Sequence, residues 1–401
     1  MKEVVIVEGL RTPIGRLGGA LKDFPACRLS ELAIRALLER TEIDPRLIDQ
    51  VIWGTVIPSS DAPNLARVAS LLAGLPKEVT NYTISQNCSS GLRALANAWQ
   101  NIQTGEADIQ IVGAAEAMSQ APYISREMRF GKRLRHAQLI DSVWETLTDP
   151  ISGQIMGLTA ENLVSGFGIS REEQDRFALE SHQRAVRAQA ESRLADELIP
   201  VEIPRRSRGK ELPPSVFDRD EGPNSDLTLE ALASYPAIFK EGGSVTAGNS
   251  CFNADGAAAA LVMSAERAKE LGYEPLGYIK SYAFAGLEPE RMGLGPSYAA
   301  PIALEKANLT MDDLDLIEIN EAFAAQVLAC GRRFERLGMP LQWEKVNVNG
   351  GAIALGHPVG MSPLRIVITL LKELRRRGLS LGLATMCVGG GLGGAMILER
   401  K

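Results

Sequence analysis

Four short stretches of this 401-residue chain hold residues that could do chemistry. The first is "ISQNCSSGLRAL", residues 84–95. Before Cys88, "VTNYTIS" reads as a strand. After it, Leu92, Leu95, Ala96, Trp99 and Ile102 recur at helical spacing. A cysteine at a helix N-terminus faces unpaired N–H groups and the positive end of the dipole, and both favour thiolate. Ser89 or Ser90 can cap such a helix, and Gly91 permits close approach. Cys88 is then either a nucleophile or a small buried hydrophobe, as many free cysteines are. A nucleophilic thiol needs a base, and the chain offers 3 histidines. His136 follows "GKRLR" and has no evident partner. His182 falls in a charged helical stretch, where exposure is expected. His357 lies in "NVNGGAIALGHPVGMSP", a loop punctuated by glycine and proline that can hold a side chain rigidly against a ligand. It is the best of the three candidates.

The other two stretches are "ATMCVGGGLGGAMILERK" and "EINEAFAAQ". In the former, Gly389, Gly391 and Gly394 formally satisfy G-x-G-x-x-G. A dinucleotide fingerprint must open a helix inside a βαβ unit, with an acidic residue further on. Here a strand-like run follows, so the match is false. Free N–H groups in such a loop could instead stabilise an oxyanion, and Cys387 at its edge is a second thiol. In "EINEAFAAQ", Asn320 and Glu321 fall at a strand-to-helix turn. That is a usual place for active-site groups in α/β folds, and equally for a plain helix cap. No P-loop, HExxH, paired-carboxylate signature or G-x-S-x-G elbow occurs.

The elements that must position these residues alternate. Val4–Val7 reads as a buried strand, Leu29–Arg40 as a helix, "QVIWGTVI" as a strand, Asn64–Ala73 as a helix and Ile109–Val112 as a strand. Strands alternating with helices predict an α/β domain over about residues 1–120. Residues 121–245 differ: they are charge-rich, hold one long polar helix over Arg171–Ala195, and are broken by "IPRRSRGKELPPSVFDRDEGPNSD". Alternation resumes near Ser244 and continues to two final strands joined by glycines. The two α/β portions look like a loose duplication, each with a cysteine at the end of an apolar strand followed by glycine.

Composition excludes several classes. A hydrophobic fraction of 45% and a charged fraction of 23% are those of a globular protein with a sizeable core. A net charge of −6 argues against nucleic acid as the partner. Two local basic runs exist. Arg205, Arg206, Arg208 and Lys210 could meet an anionic ligand, whereas Lys372, Arg375, Arg376 and Arg377 read as a solvated helix end. The five cysteines form no CxxC pair, so neither disulfides nor a metal site is expected. Free thiols imply a reducing compartment, and no apolar run is long enough to span a membrane. The N-terminal "MKEVVIVEGLRTP" turns at once into a strand rather than a signal or transit peptide, so the cytoplasm is expected.

Taken together, these segments resemble the thiolase family of acyl-CoA acyltransferases. The likeness covers nearly the whole chain. It runs from "VIVEGLRTPIGRLGGALKD" through "CSSG", "MGLTAEN", "SVTAGN" and "DGAAA" to "MGLGP", "NEAFAAQ", "GGAIALGHPVG" and "CVGGGLGG". It implies two similar α/β halves in a five-layered αβαβα arrangement with an inserted loop domain. The N-terminal half is then residues 1–120 plus 245–270, the coenzyme A-binding loop domain 121–244 and the C-terminal half 271–401. By the same resemblance Cys88 accepts the acyl group, His357 activates that thiol and Cys387 shuttles the proton of the carbon acid. Asn320 holds a water that forms one oxyanion hole with the histidine, and the N–H groups of Cys88 and Gly389 form another. Met156, Ala247, Ser250, Cys251, Met292 and Phe323 are implied to contact acyl-CoA. Acyl-CoA and coenzyme A are the implied partners, as substrates. No permanently bound cofactor and a homodimer or homotetramer are also implied. The reaction is cleavage of a 3-ketoacyl-CoA to acetyl-CoA and a shortened acyl-CoA, or the reverse Claisen condensation.

Some positions depart from the family pattern. Ser85 stands where many members have Asn, Ile155 where many short-chain members have His, and Asn224 where some have an Arg that packs on adenine. Tyr298 replaces a common Pro, and Cys251 replaces a Ser. All bear on acyl or coenzyme A fit, and "CSSG" with Ile155 leans towards the degradative, broader-chain branch in fatty acid β-oxidation. Two alternatives keep the fold. One uses a non-CoA or carrier-protein acceptor; the other is a non-catalytic acyl-CoA-binding subunit.

Overall fold

The computed structural model describes residues 2–207 and 210–401. Nine strands form the body of one sheet. They are β1 (Val4–Arg11), β2 (Gln50–Gly54), β3 (Thr80–Ile84), β4 (Ile109–Ala117), β5 (Ala254–Ser264), β6 (Gly277–Gly286), β7 (Leu316–Ile319), β8 (Leu381–Val388) and β9 (Leu392–Glu399). Their order is β7-β8-β9-β6-β1-β5-β4-β2-β3, with the short strand Gly15–Arg16 beside β5. The seam between β1 and β6 is only the pairs Val5↔Tyr278 and Ile6↔Gly277. The sheet is therefore two twisted halves touching at one corner.

Each half has outer helices. Helices α1 (Ala26–Thr41) and α2 (Leu65–Leu72) close the core of the first. Three further helices are α3 (Ser90–Thr104), α4 (Met156–Phe167) and α5 (Arg171–Ala190), followed by α6 (Gly295–Ala307) and α7 (Ala324–Arg336), which close the core of the second half. Between the two halves of the sheet lie α3 and α8 (Ser362–Arg377), in one core that takes residues from both halves. A helix that is apolar on one stripe suffices for an outer layer, but a central one must be covered all round. Helix α8 satisfies this: it is buried without a break from Ser362 to Leu374. The layers are thus helix, sheet, helix, sheet, helix, as expected.

The duplication is real, but it does not equate the two cysteines. The order β1-α1-β2-α2-β3-α3-β4-β5 of the first half is repeated as β6-α6-β7-α7-α8-β8-β9 in the second, except that among the described residues no strand answers to β3. Cys88 precedes the central helix α3, whereas Cys387 lies inside β8, the strand that follows the central helix α8. Register identifies the true counterparts. Gly54 ends β2 and pairs with Ala114, as Ile319 ends β7 and pairs with Thr385. One residue on, Thr55 answers to Asn320; two residues along the neighbouring strand, Glu116 answers to Cys387.

Two further expectations are corrected. The basic end of α8 is an ion-paired network, not a solvated end. Lys372 is buried and bonds Glu8 at 2.8 Å and Asp196 at 3.0 Å, Arg375 bonds Asp196 at 2.8 Å, and Arg376 and Arg377 bond Glu373. The earlier basic run falls on the hairpin Val201–Ser207/Lys210–Phe217. There Arg205 is exposed and away from the main cavity, and Arg208 lies outside the described residues.

Candidate active site

A cavity of about 780 Å³ opens where the C-terminal ends of the strands meet the 121–250 segment, and Cys88, His357 and Cys387 line it together. They come from three places: the turn before α3, the loop before α8, and the end of β8. Met156, Ala247, Ser250, Cys251, Met292 and Phe323, every residue expected to contact acyl-CoA, line the same cavity. Ile155 lies on the same wall.

The Cys88 turn is held by its own sequence. Asn87 has φ 46°, the left-handed region that Asn tolerates best among non-glycines. Its amide Nδ2 donates to the Gly389 carbonyl at 2.7 Å, which fixes the glycine loop against the turn. The Gly389 backbone in turn favours the charged form of the Cys88 sulfur. Ser89 and Ser90 do not cap α3 in the expected way. Their hydroxyls turn back to the carbonyls of Gln86 (2.9 Å) and Asn87 (2.7 Å), and Gln86 N donates to Ser90 Oγ at 3.0 Å. They brace the turn rather than free N–H groups of the helix.

Burial pushes the Cys88 thiol above the ordinary cysteine value, against the pull of the Gly389 and Cys88 N–H groups. The helix terminus therefore does not hold a resting thiolate, and Cys88 rests as a thiol. His357 supplies what it lacks. Its Nδ1 lies 2.6 Å from Ser362 Oγ, and that hydroxyl donates to the Pro358 carbonyl at 3.2 Å. With its proton so used, the hydroxyl accepts from Nδ1–H. The tautomer then leaves Nε2 as a lone pair. Burial, and then the positive charge of Arg365, lower His357 to about 3, so the ring is a neutral base. Its backbone N donates to Phe252 O at 3.0 Å, which ties the loop to the segment carrying Ser250 and Cys251.

Asn320 is fully buried beside the cavity wall formed by Ala322 and Phe323, and neither its Oδ1 nor its Nδ2 has a hydrogen-bond partner. Two unpaired amide atoms at full burial are costly unless a ligand or water meets them. Helix α7 starts only at Ala324, with no side-chain cap, so neither Asn320 nor Glu321 is a cap. Glu321 instead locks the turn: its carboxylate accepts from Ser181 Oγ (2.6 Å), Asn347 Nδ2 (2.8 Å) and Ile353 N (3.2 Å). Cys387 is held far above the ordinary thiol value, by burial first and then by the neighbouring thiols. Cys251 is likewise pushed up to about 12 by burial. Both stay protonated.

The remaining histidines behave differently. His182 is buried rather than exposed, because α5 packs on the 220–224 segment. Its Nδ1 accepts from Asn224 N at 3.2 Å, and burial followed by Arg16 lowers it to about 4. It does not line the cavity, and neither does the exposed His136. The glycine run is the β8–β9 hairpin turn, with Gly390 and Gly391 at positive φ, so no helix follows it. Among the described residues no cluster of three His, Cys, Asp or Glu could hold a metal ion. All five cysteines are free. Sequence reasoning missed Asn87, Ser362 and Glu116. The first two sit beside recognised residues, one before Cys88 and five after His357. Glu116 gave no signal within "GAAEAMS".

The chain is matched by two family models, "Thiolase, N-terminal domain" over residues 4–266 and "Thiolase, C-terminal domain" over residues 273–400. It is 48% identical to the acetyl-CoA acetyltransferase of Syntrophomonas wolfei, covering 99% of each chain. Among solved structures, the acetyl-CoA acetyltransferase of Bacillus anthracis is 45% identical with a TM-score of 0.95, covering 100% of this chain and 99% of that one. The human mitochondrial 3-ketoacyl-CoA thiolase in complex with CoA is 42% identical with a TM-score of 0.94, covering 100% of this chain and 98% of that one.

Proposed function

The chain belongs to the thiolase family, and from that premise we propose that it moves acyl groups between 3-ketoacyl-CoA and coenzyme A through a thioester on Cys88. The observation that carries this reading is the joint placement of Cys88, His357 and Cys387 on one cavity, with the glycine loop tied to the Cys88 turn by Asn87 Nδ2 on the Gly389 carbonyl. The relatives' names give coenzyme A, not a carrier protein, as the acyl carrier.

Attack begins with the neutral thiol. As Cys88 Sγ bonds to the 3-keto carbon, its proton passes to His357 Nε2, which the Ser362 contact leaves free. The tetrahedral oxyanion meets the N–H groups of Cys88 and Gly389. The Cα–Cβ bond then breaks, and its electrons form the enolate of acetyl-CoA. That oxygen meets His357 Nε2–H, now a donor, and a water held by the unpaired Asn320 amide. Cys387 gives the carbon its proton, and its high pKa suits a donor to a carbanion. Acetyl-CoA leaves. Coenzyme A thiol attacks acyl-Cys88, its proton goes to Cys387, and Cys88 recovers its own from His357. The reverse sequence is the Claisen condensation, so the same groups serve both directions.

Substrate range follows the wall. Ile155, Met156, Phe239 and Phe323 make it apolar, and Phe239 stands edge-on to Phe323 with ring centres 6.1 Å apart. This favours acyl chains longer than acetyl and the degradative direction. We assign coenzyme A binding to the 121–244 insertion, and the two thiolase halves to residues 1–120 plus 245–270 and to 271–401. The free thiols agree with a cytoplasmic enzyme, and the family leads us to expect a homo-oligomer. Mass spectrometry after incubation with acetyl-CoA and longer acyl-CoAs tests the mechanism. An acyl adduct on Cys88 that disappears on adding coenzyme A is expected; no adduct at any chain length overturns it.

A further inference from the structure

Glu116 is fully buried near the end of β4 and is absent from the chemistry above. Its carboxylate is saturated with donors. Oε1 accepts from Ile57 N at 2.9 Å and Thr55 Oγ at 3.2 Å, and Oε2 accepts from Val56 N at 3.0 Å and Gly360 N at 2.9 Å. The last of these reaches from the first half of the molecule into the second, across 244 residues of sequence. Gly360 is three residues beyond His357. The Gly360 carbonyl accepts from Gly91 N at 3.1 Å, and Gly91 is three residues beyond Cys88.

One residue, Gly360, therefore stands between the two catalytic loops, its N–H on Glu116 and its carbonyl on Gly91. Its neighbours leave it no slack. A Cβ on Gly360 would lie 2.8 Å from Glu116 Oε2, and a Cβ on Gly91 would lie 3.1 Å from the Gly360 oxygen. Hydrogen bonds to a charged acceptor are about twice as strong as neutral ones. The carboxylate thus holds the Val359–Gly360 peptide more firmly than a neutral contact would, and the next peptide carries the carbonyl that meets Gly91.

We propose that Glu116 is a positioning residue that sets the distance between Cys88 and His357 by clamping Gly360 against the N-terminus of α3. The proposal rests on Cys88 as nucleophile and His357 as its base. Glu116 touches neither sulfur nor imidazole. It acts through the loop backbone, which no local contact of His357 with Ser362 can replace, because that contact orients the ring within its own loop.

Glu116→Gln tests this. The amide keeps the shape but presents an NH₂ to a ring of donors, so at least one of them is lost. The readout is the single-turnover rate at which acetyl-CoA acylates Cys88, with KM and Tm measured alongside. We expect the acylation rate to fall about 10- to 100-fold, the scale of an ångström misplacement at a reacting pair, with KM for acetyl-CoA unchanged. Glu116→Asp keeps the charge but shortens the reach, so it should be impaired as well. Thr55→Val removes a donor on the Oε1 side, leaves Gly360 clamped and should acylate at nearly the wild-type rate. A folded Glu116→Gln protein that acylates at the wild-type rate overturns the proposal, as does full rescue by Asp. So does a loss shared equally by Thr55→Val, which would mark Glu116 as merely structural. If wild-type protein forms no adduct, the nucleophile reading fails. The clamp is then judged by iodoacetamide alkylation of Cys88 relative to Cys27, which must slow in Glu116→Gln and not in Thr55→Val.

Discussion

The two halves of the molecule place different side chains at equivalent points. At the end of the strand after the central helix, the first half has Glu116 and the second has Cys387. Beside them stand Thr55 in the first and Asn320 in the second. The first pair is satisfied: Thr55 donates to Glu116, and the carboxylate spends its remaining capacity on backbone N–H groups. The second pair is left open, with a protonated thiol at the cavity and an amide with no partner. One architecture therefore presents two polar pairs, one satisfied within the fold and one left open at the cavity. Unsatisfied polar groups cost stability, and a domain can carry a few only where the surroundings are over-determined.

This contrast can be broken in order of effect. Replacing Cys88 with Ala should abolish acyl transfer, by about 10⁴-fold or more, on the scale seen when a nucleophile is removed. Replacing Cys387 with Ala should separate the steps. Acylation of Cys88 should survive, while exchange at the carbon–carbon bond falls by about 10²- to 10⁴-fold, the range of a lost general acid–base. Equal loss of both steps in radiolabel exchange assays would contradict the division of labour. Asn320→Ala should cost about 10²- to 10³-fold in thiolysis, the scale of one oxyanion donor, with Tm unchanged or raised, since it deletes unpaired buried atoms. A Tm loss with unchanged kcat would make Asn320 structural, like its counterpart Thr55.

Ser362→Ala should give a smaller loss, about tenfold in kcat at unchanged KM, because the ring keeps its place but not its enforced tautomer. A shift in the imidazole ¹⁵N spectrum towards a tautomer mixture checks the cause. The smallest effect concerns Cys88 itself. Its pKa is raised by burial, so its alkylation rate should still climb with pH above about pH 10, where an unperturbed thiol levels off. A plateau near pH 7 would mean a resting thiolate–imidazolium pair, and the proton transfer to His357 would then precede the substrate.

Much of this was legible from local pattern. Helix α1 fills its predicted span, the glycine after α8 takes positive φ as a helix stop should, and the polar helix α5 begins at Arg171 as read. The candidates Cys88, Asn320, His357 and Cys387 were visible because each sits in or beside a turn whose residue types are unusual. The errors share one cause. His182 and Lys372 were read by their neighbours in sequence, yet both are buried by segments far along the chain, around Asn224 for one and Glu8 with Asp196 for the other. The match between "CSSGL" and "CVGGGL" was likewise local, and the strand register assigns Cys387 to Glu116 instead.

Alone, the sequence determined the periodicities, the turns and the residue types that can react, because these depend on contacts within a few positions. Only the tertiary structure decided which of them meet. Whether a thiol rests charged or neutral depends on burial, and whether an imidazole is a base depends on the partner of its other nitrogen. The spacing of two loops depends on a carboxylate 244 residues away from the peptide it holds. Such long-range contacts are fixed by sheet register and layer stacking, which no stretch of neighbouring residues encodes.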